Sequence, residues 1–306
     1  MNQKPTVSIC MITYNHQDFI EQAMLSVLNQ KCNFEIELIV SNDCSTDQTH
    51  QIITNIASTH PKKHQIQYLV NEKNLGMMPN FIQTLKKCNG KYIAICDGDD
   101  YWIDDFKLQQ QYDFLEEHQE FAMHAARATT VDNKKHNDSL IGCSNSKIFE
   151  ILDFYSQNKL ITCTVFFRNT NFNFPENYAK LSFGDWFLYV YILKKTGLKV
   201  FHSDVVFARY RIHKNSVMSS TSTINNYKAQ IFQINFIHKY LKKINYSLQD
   251  IKIINQNYLT IFRYYLNQNK YLYLVPIIVQ NLIKTKFSAP IKKYFSAIKH
   301  HNFDKN

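Results

Sequence analysis

Between residues 7 and 96, short apolar runs alternate with stretches whose apolar residues recur at helical spacing, and this alternation most constrains the fold. Val7-Ser8-Ile9-Cys10-Met11-Ile12 reads as a buried strand ending in Thr13-Tyr14-Asn15-His16. Asp18 to Gln30 then places Ile20, Met24, Val27 and Leu28 on one helical face. Glu37-Leu38-Ile39-Val40 is a second strand, followed by the polar turn 41–47 and a helix through Ile52, Ile53 and Ile56. Ile66–Val70 is a third strand and Met78 to Cys88 a third helix. Lys91-Tyr92-Ile93-Ala94-Ile95-Cys96 is a fourth strand that runs directly into Asp97. Such alternation predicts an α/β fold with a mostly parallel central sheet flanked by helices.

In sheets of this kind, ligands bind beyond the carboxyl ends of the strands. Three polar clusters fall there: Thr13-Tyr14-Asn15, Asn42-Asp43 and Asp97-Gly98-Asp99-Asp100. Three aspartates within four residues repel one another, and a bound divalent cation is the usual offset. A hard ion such as Mg²⁺ or Mn²⁺ suits carboxylate oxygen and completes its shell with phosphate oxygens and water. The competing reading is a solvated acidic turn that caps the next helix.

Residues 125–220 are less regular, with strand-like stretches at Thr162–Phe167 and Val205–Ala208. From residue 224 the pattern becomes helical, rich in Tyr, Phe, Ile, Asn and Lys. The net charge of +10 also divides there: residues 221–306 carry 13 Lys/Arg against Asp250 and Asp304, while the first 220 are nearly neutral. Composition therefore predicts a domain over 1–220, with halves 1–125 and 126–220, and a basic, aromatic helical extension over 221–306. Seven scattered cysteines without a CxxC pair, and no leader-like N-terminus, predict reduced thiols in the cytoplasm. No run approaches the roughly 20 apolar residues of a membrane span.

In order and spacing, the motifs resemble those of the family 2 glycosyltransferases, inverting enzymes of the GT-A fold. The matching stretches are Val7–Asn15, Glu37–Asp47, Asn74-Leu75-Gly76, Asp97-Gly98-Asp99-Asp100-Tyr101-Trp102, Gly184-Asp185-Trp186 and Tyr210-Arg211-Ile212-His213. The resemblance implies that Tyr14 stacks on a nucleotide base whose ring N–H Asp43 accepts. It implies that Asp97 meets the ribose, that Asp99 ligates the metal, and that Thr13, Asn15, Asn74 and Gly98 lie along the nucleotide-sugar. Asp185 is the candidate general base, since inverting transfer needs a carboxylate to take the acceptor hydroxyl's proton. Its aromatic neighbours predict a raised pKa. Relatives often carry an acid immediately before this aspartate, where this chain has Gly184. His213 is a second candidate metal ligand, and Arg211 a candidate for the diphosphate. Trp102 and Trp186 are candidates to line the sugar or acceptor pocket, with a plain core role as the alternative.

The implied reaction moves a sugar from a nucleotide-sugar, expected to be a UDP-sugar, to a hydroxyl of a surface glycan or lipid-linked acceptor. Leu272–Val279 with Lys284, Lys286, Lys292 and Lys293 fits a helix lying on an anionic membrane surface, which would place the protein on the inner face of the cell membrane. Packing on the catalytic domain and oligomerisation are the alternatives for the same segment, and no nucleic-acid-binding module is recognised. The rival functions are a nucleotidyltransferase acting on sugar phosphates and an inactive, membrane-associated assembly protein of the same fold. A nucleotidyltransferase would want a Gly-rich, Lys/Arg-bearing loop after the first strand, and Thr13-Tyr14-Asn15-His16 is not one.

Overall fold

In a computed structural model, strands β1 (Val7–Thr13), β2 (Ile36–Asn42), β3 (Ile66–Val70) and β4 (Tyr92–Ile95) pair in parallel in the order β3-β2-β1-β4. The structure describes residues 5–131, 138–213, 223–242, 247–286 and 288–303; the expected domain boundary at residue 220 lies outside them. β1 is buried along nearly its whole length and β4 throughout, which is why both read as continuous apolar runs rather than as alternating ones. Helices α1 (Ile20–Leu28), α2 (Thr49–Thr59) and α3 (Met77–Lys87) connect the four strands. α1 buries Ile20, Ala23, Met24, Val27 and Leu28 in the core that these strands share.

Beyond β4 the sheet becomes mixed. The remaining elements are β5 (Tyr101–Trp102), α4 (Lys107–Glu117), β6 (Phe121–Val131), β7 (Ser139–Ile141), β8 (Lys147–Phe149), β9 (Phe166–Arg168), α5 (Gly184–Thr196) and β10 (Lys199–Arg211). β9 runs antiparallel between β4 and β6, β10 lies parallel to β6, and β5 pairs antiparallel with β10. The expected α/β sheet with helices around it is present, parallel through its first four strands and again between β6 and β10. The stretch Thr162–Phe167 is not one strand: a 3-10 turn over Thr162–Thr164 precedes β9. Thr164 Oγ1 accepts from Ala126 N at 3.2 Å and donates to Ala126 O at 3.1 Å, so a side chain replaces the backbone ladder there. α5 is buried on all sides from Trp186 to Leu193, which marks a helix inside the core.

The chain divides into two compact units. One comprises Met1–Phe154, Asn158–Lys180 and Gly184–His213, and holds the sheet. The other comprises Tyr155–Gln157, Leu181–Phe183 and Lys214–Asn306, with helices α6 (Thr223–Tyr240), α7 (Leu248–Asn267), α8 (Leu274–Lys284) and α9 (Ile291–Phe303). α7 starts on a capping box in which Ser247 and Asp250 exchange hydrogen bonds. Inside this unit, Asn281 Nδ2 donates to Tyr294 Oη at 2.8 Å and Asn257 Nδ2 to Gln230 Oε1 at 2.9 Å. Among the described residues, no helix is long and apolar enough to cross a membrane.

Candidate active site

The loop after β1 is fastened to the loop after β2 by side chains on both. Asn15, in the left-handed region at φ 55°, donates its N–H to Ser45 Oγ (2.9 Å), and its Oδ1 accepts from Thr46 N (2.8 Å). His16 N–H donates to Thr49 Oγ1 (2.8 Å) and Gln17 N–H to Asp47 Oδ2 (3.1 Å). This clamp leaves the Tyr14 side chain outside the core, 42% exposed, at the strand end. Asp43, beside it, is buried. Its Oδ1 accepts from Asn71 Nδ2 and Leu75 N, both at 2.8 Å, and its Oδ2 from Gly76 N at 2.9 Å. Asn74 Oδ1 shares that same Gly76 N–H at 2.9 Å. Gly76 needs to be glycine, because its φ of 87° lies where a Cβ is disfavoured.

The turn after β4 continues alongside β1: Cys96 N–H donates to Cys10 O and Gly98 N–H to Ile12 O. A Cβ on Gly98 would stand 2.8 Å from Thr13 Cβ and Oγ1, so this glycine lets the acidic turn close onto β1. Asp100 is buried, and its Oδ1 accepts Arg211 N at 2.8 Å, tying the end of β10 to the turn. Burial, followed by the charge of Asp99, pushes the Asp100 carboxyl well above its usual range. Burial and then the charges of Asp99 and Asp185 do the same to Asp97. Asp99 moves the other way. Burial would raise it, but the His213 hydrogen bond and the nearby His16 and His213 rings outweigh that and lower it.

His213 Nε2 lies 3.0 Å from Asp99 Oδ2, and His16 Nε2 lies 4.0 Å from the same oxygen. One ligating atom from each of these three residues falls within 4.8 Å of the other two. Two imidazoles and a carboxylate on separate segments, converging in a part-buried corner, are a donor set that fits a divalent ion. Desolvation lowers the pKa of His16, which keeps that ring neutral, the form that ligates.

Asp185 sits in the first turn of α5. Its Oδ2 accepts from Asn158 Nδ2 and Thr162 Oγ1, both at 2.8 Å. Burial raises its pKa against these hydrogen bonds. The fold places it near enough to Asp97 for its charge to help raise that carboxyl, although the two lie far apart in sequence. The residue before it, Gly184, packs under the Met78 thioether, the flexible end of a side chain that a Cβ there would have to displace.

Arg211 makes its side-chain contacts inside the protein. Nη1 donates to Asp99 O (2.6 Å), Nη2 to Gln22 Oε1, and the guanidinium lies 4.4 Å from the Tyr101 ring centre and 5.1 Å from that of Phe19. Trp102 and Trp186 are placed in the core, 4% and 2% exposed, with indole N–H groups donating to Cys163 O (2.7 Å) and Phe154 O (2.6 Å). Sequence reasoning did not single out His16, Asn158 or Thr162. The only signal for His16 was its place in the polar turn after β1, and Asn158 and Thr162 carry no local pattern at all.

Comparison with known proteins bears on the fold and the family. The chain spans 62% of the length of the first curated relatives it matches, which include an uncharacterized protein of Mycobacterium tuberculosis, 28% identical over 71% of this chain. An Escherichia coli protein, UDP-Glc:alpha-D-GlcNAc-diphosphoundecaprenol beta-1,3-glucosyltransferase WfaP, is 31% identical over 76% of this chain and 85% of its own. Among solved structures, Staphylococcus aureus TarS 1-349 in complex with UDP-GlcNAc superposes with a TM-score of 0.67 at 17% identity, covering 98% of this chain and 92% of that one. The mannosyltransferase PcManGT of Pyrobaculum calidifontis, solved with GDP-Man and Mn²⁺, gives a TM-score of 0.54 at 14% identity over all of this chain and 89% of that one. The sheet, the acidic turn after β4 and a match of residues 8–174, more than half the chain, to the glycosyl transferase family 2 model agree: the chain belongs to that family.

Proposed function

We propose that the protein is an inverting, divalent-metal-dependent glycosyltransferase that moves a sugar from a UDP-sugar to a hydroxyl of a lipid-linked or surface glycan. The observation that carries this reading is the contact of His213 Nε2 with Asp99 Oδ2 at 3.0 Å, in an acidic turn whose Asp97 also feels the charge of Asp185. Tyr14 offers an exposed ring to stack on the base, and Asp43 an oxygen to its N–H. Asp43 has three protein donors already, and a carboxylate's roughly four lone-pair sites leave room for one more. Asp97 meets the ribose, with Thr13, Asn15, Asn74 and Gly98 shaping the channel. Asp99 and His213 would hold the ion, which when bound supplies positive charge against the departing diphosphate. Arg211 adds its charge from behind the turn. Asp185 takes the proton of the acceptor hydroxyl as that oxygen attacks the anomeric carbon, and Asn158 and Thr162 hold the carboxylate in place for it. The UDP and lipid-linked assignments draw on the names of the Escherichia coli and Staphylococcus aureus proteins.

The helical unit suits attachment to the membrane that would carry such an acceptor. Leu272, Val275, Val279 and Ile283 are exposed at helical spacing on and just before α8, near Lys270, Lys284 and Lys286. Two experiments test the reading. A melting-temperature screen in Mn²⁺ should show the largest rise with UDP-sugars; a larger rise with GDP- or dTDP-sugars overturns the donor assignment. Sedimentation with anionic vesicles should capture the protein at low salt and release it at high salt, and absence of salt-sensitive capture removes the membrane assignment.

A further inference from the structure

His16 is held firmly by its backbone, and its ring is packed edge-on to Phe19, with centroids 6.2 Å apart. Its N–H is bound by Thr49 Oγ1, and its carbonyl accepts from Phe19 N and Ile20 N, both at 2.9 Å. The ring Nδ1 is buried and finds no hydrogen-bond partner among the described residues, an arrangement that folded proteins avoid. Nε2 points toward Asp99 Oδ2, and the ring lies edge-on to His213, with centroids 5.9 Å apart and planes at 89°. Phe19, in the turn that follows, packs against His213 at 4.8 Å as well as against His16, so the three rings form one cluster. The β1–α1 loop therefore supplies both a wall that positions His213 and a second imidazole beside the carboxylate.

We propose that His16 is a third protein ligand to the ion, and that the two-imidazole, one-carboxylate set selects a first-row transition ion such as Mn²⁺ over Mg²⁺. This rests on the assignment of the ion to Asp99 and His213. Mg²⁺ takes oxygen donors and gives up its water reluctantly, whereas imidazole nitrogen suits transition ions such as Zn²⁺ and Fe²⁺. Mn²⁺ also favours oxygen, but it accepts that nitrogen more readily than Mg²⁺ does. A site built from one oxygen and two nitrogens therefore discriminates between two ions of equal charge.

The test uses Mn²⁺ as a spin probe on the full chain, without donor or turnover. Pulsed paramagnetic resonance counts the imidazole nitrogens coupled to the ion. Two rings are expected in the wild type and one in His16→Gln, with Mn²⁺ affinity in the variant reduced at least about tenfold. Excess Mg²⁺ should displace Mn²⁺ more readily from the variant than from the wild type. A single ring in the wild type overturns the proposal even if the variant fails to fold. Unchanged coupling and affinity in a folded His16→Gln protein overturn it too, while loss of binding in Asp99→Asn then leaves the Asp99 assignment standing. Mn²⁺ binding that survives Asp99→Asn unchanged overturns both.

Discussion

The turns after β2 and β4 occupy equivalent places at the ends of parallel strands, and both bury aspartate, yet they handle it in opposite ways. After β2, Asp43 is surrounded by donors from Asn71, Leu75 and Gly76, Asn42 Oδ1 accepts Ser45 N, and Asp47 accepts from Gln17 and Thr49. That turn organises its neighbours. After β4, Asp97 and Asp100 crowd Asp99, and burial and mutual repulsion push both of their carboxyls up. The contrast teaches that one turn answers its buried charge with the protein's own donors. In the other the carboxyls feel one another's charge, the arrangement that suits a bound cation.

The largest expected effect lies on the functional side. Asp185→Asn should lower transfer by about 10²–10⁴-fold while UDP binding, measured by calorimetry, stays unchanged. Retained turnover would move the base to another residue. The comparison itself is broken or sharpened by a pair of variants. Asp43→Ala should cost about 1–3 kcal/mol in urea unfolding, because it strands the Leu75 N–H and takes one of two acceptors from the Gly76 N–H and the Asn71 amide. Asp97→Asn, by removing a charge the ion-free fold holds at a cost, should leave stability unchanged or slightly higher. Equal losses in both would erase the distinction between the turns. Gly184→Ala should cost at most about 1 kcal/mol, because the flexible end of Met78 can turn aside, and a loss near about 3 kcal/mol would show that Met78 is held in place. The smallest effect concerns pH. A raised Asp185 loses its proton later than an ordinary carboxylate, so the acid limb of the transfer rate should lie above the usual aspartate range. An acid limb within that range would show that Asp185 is not the titrating base.

The legible part of the molecule was the part encoded locally. β1 to β4 and α1 to α3 could be read because a strand buried on both faces is a continuous apolar run and its covering helix is a periodic one. β6 and β10 were harder. Both carry polar residues such as His124, Arg127, His202 and Asp204 within the strand, and their pairing includes register shifts at Lys199, His202 and Val206. Thr162–Phe167 misled because its residues favour strands, while Thr164 binds the backbone of β6 through its hydroxyl. The acidic turn stood out by composition. The second imidazole did not, since a lone histidine after a strand gains meaning only when β10 returns His213 beside it.

The account turns on the claim that the acidic turn after β4 binds donor through an ion held at Asp99. Calorimetric titration of UDP into the wild type and Asp99→Asn, each with Mn²⁺ and with chelator, tests this directly. The wild type should bind UDP strongly only with Mn²⁺, and Asp99→Asn should bind weakly in both conditions with no response to the ion. UDP binding of equal strength in chelator, or a full Mn²⁺ response in Asp99→Asn, would contradict it.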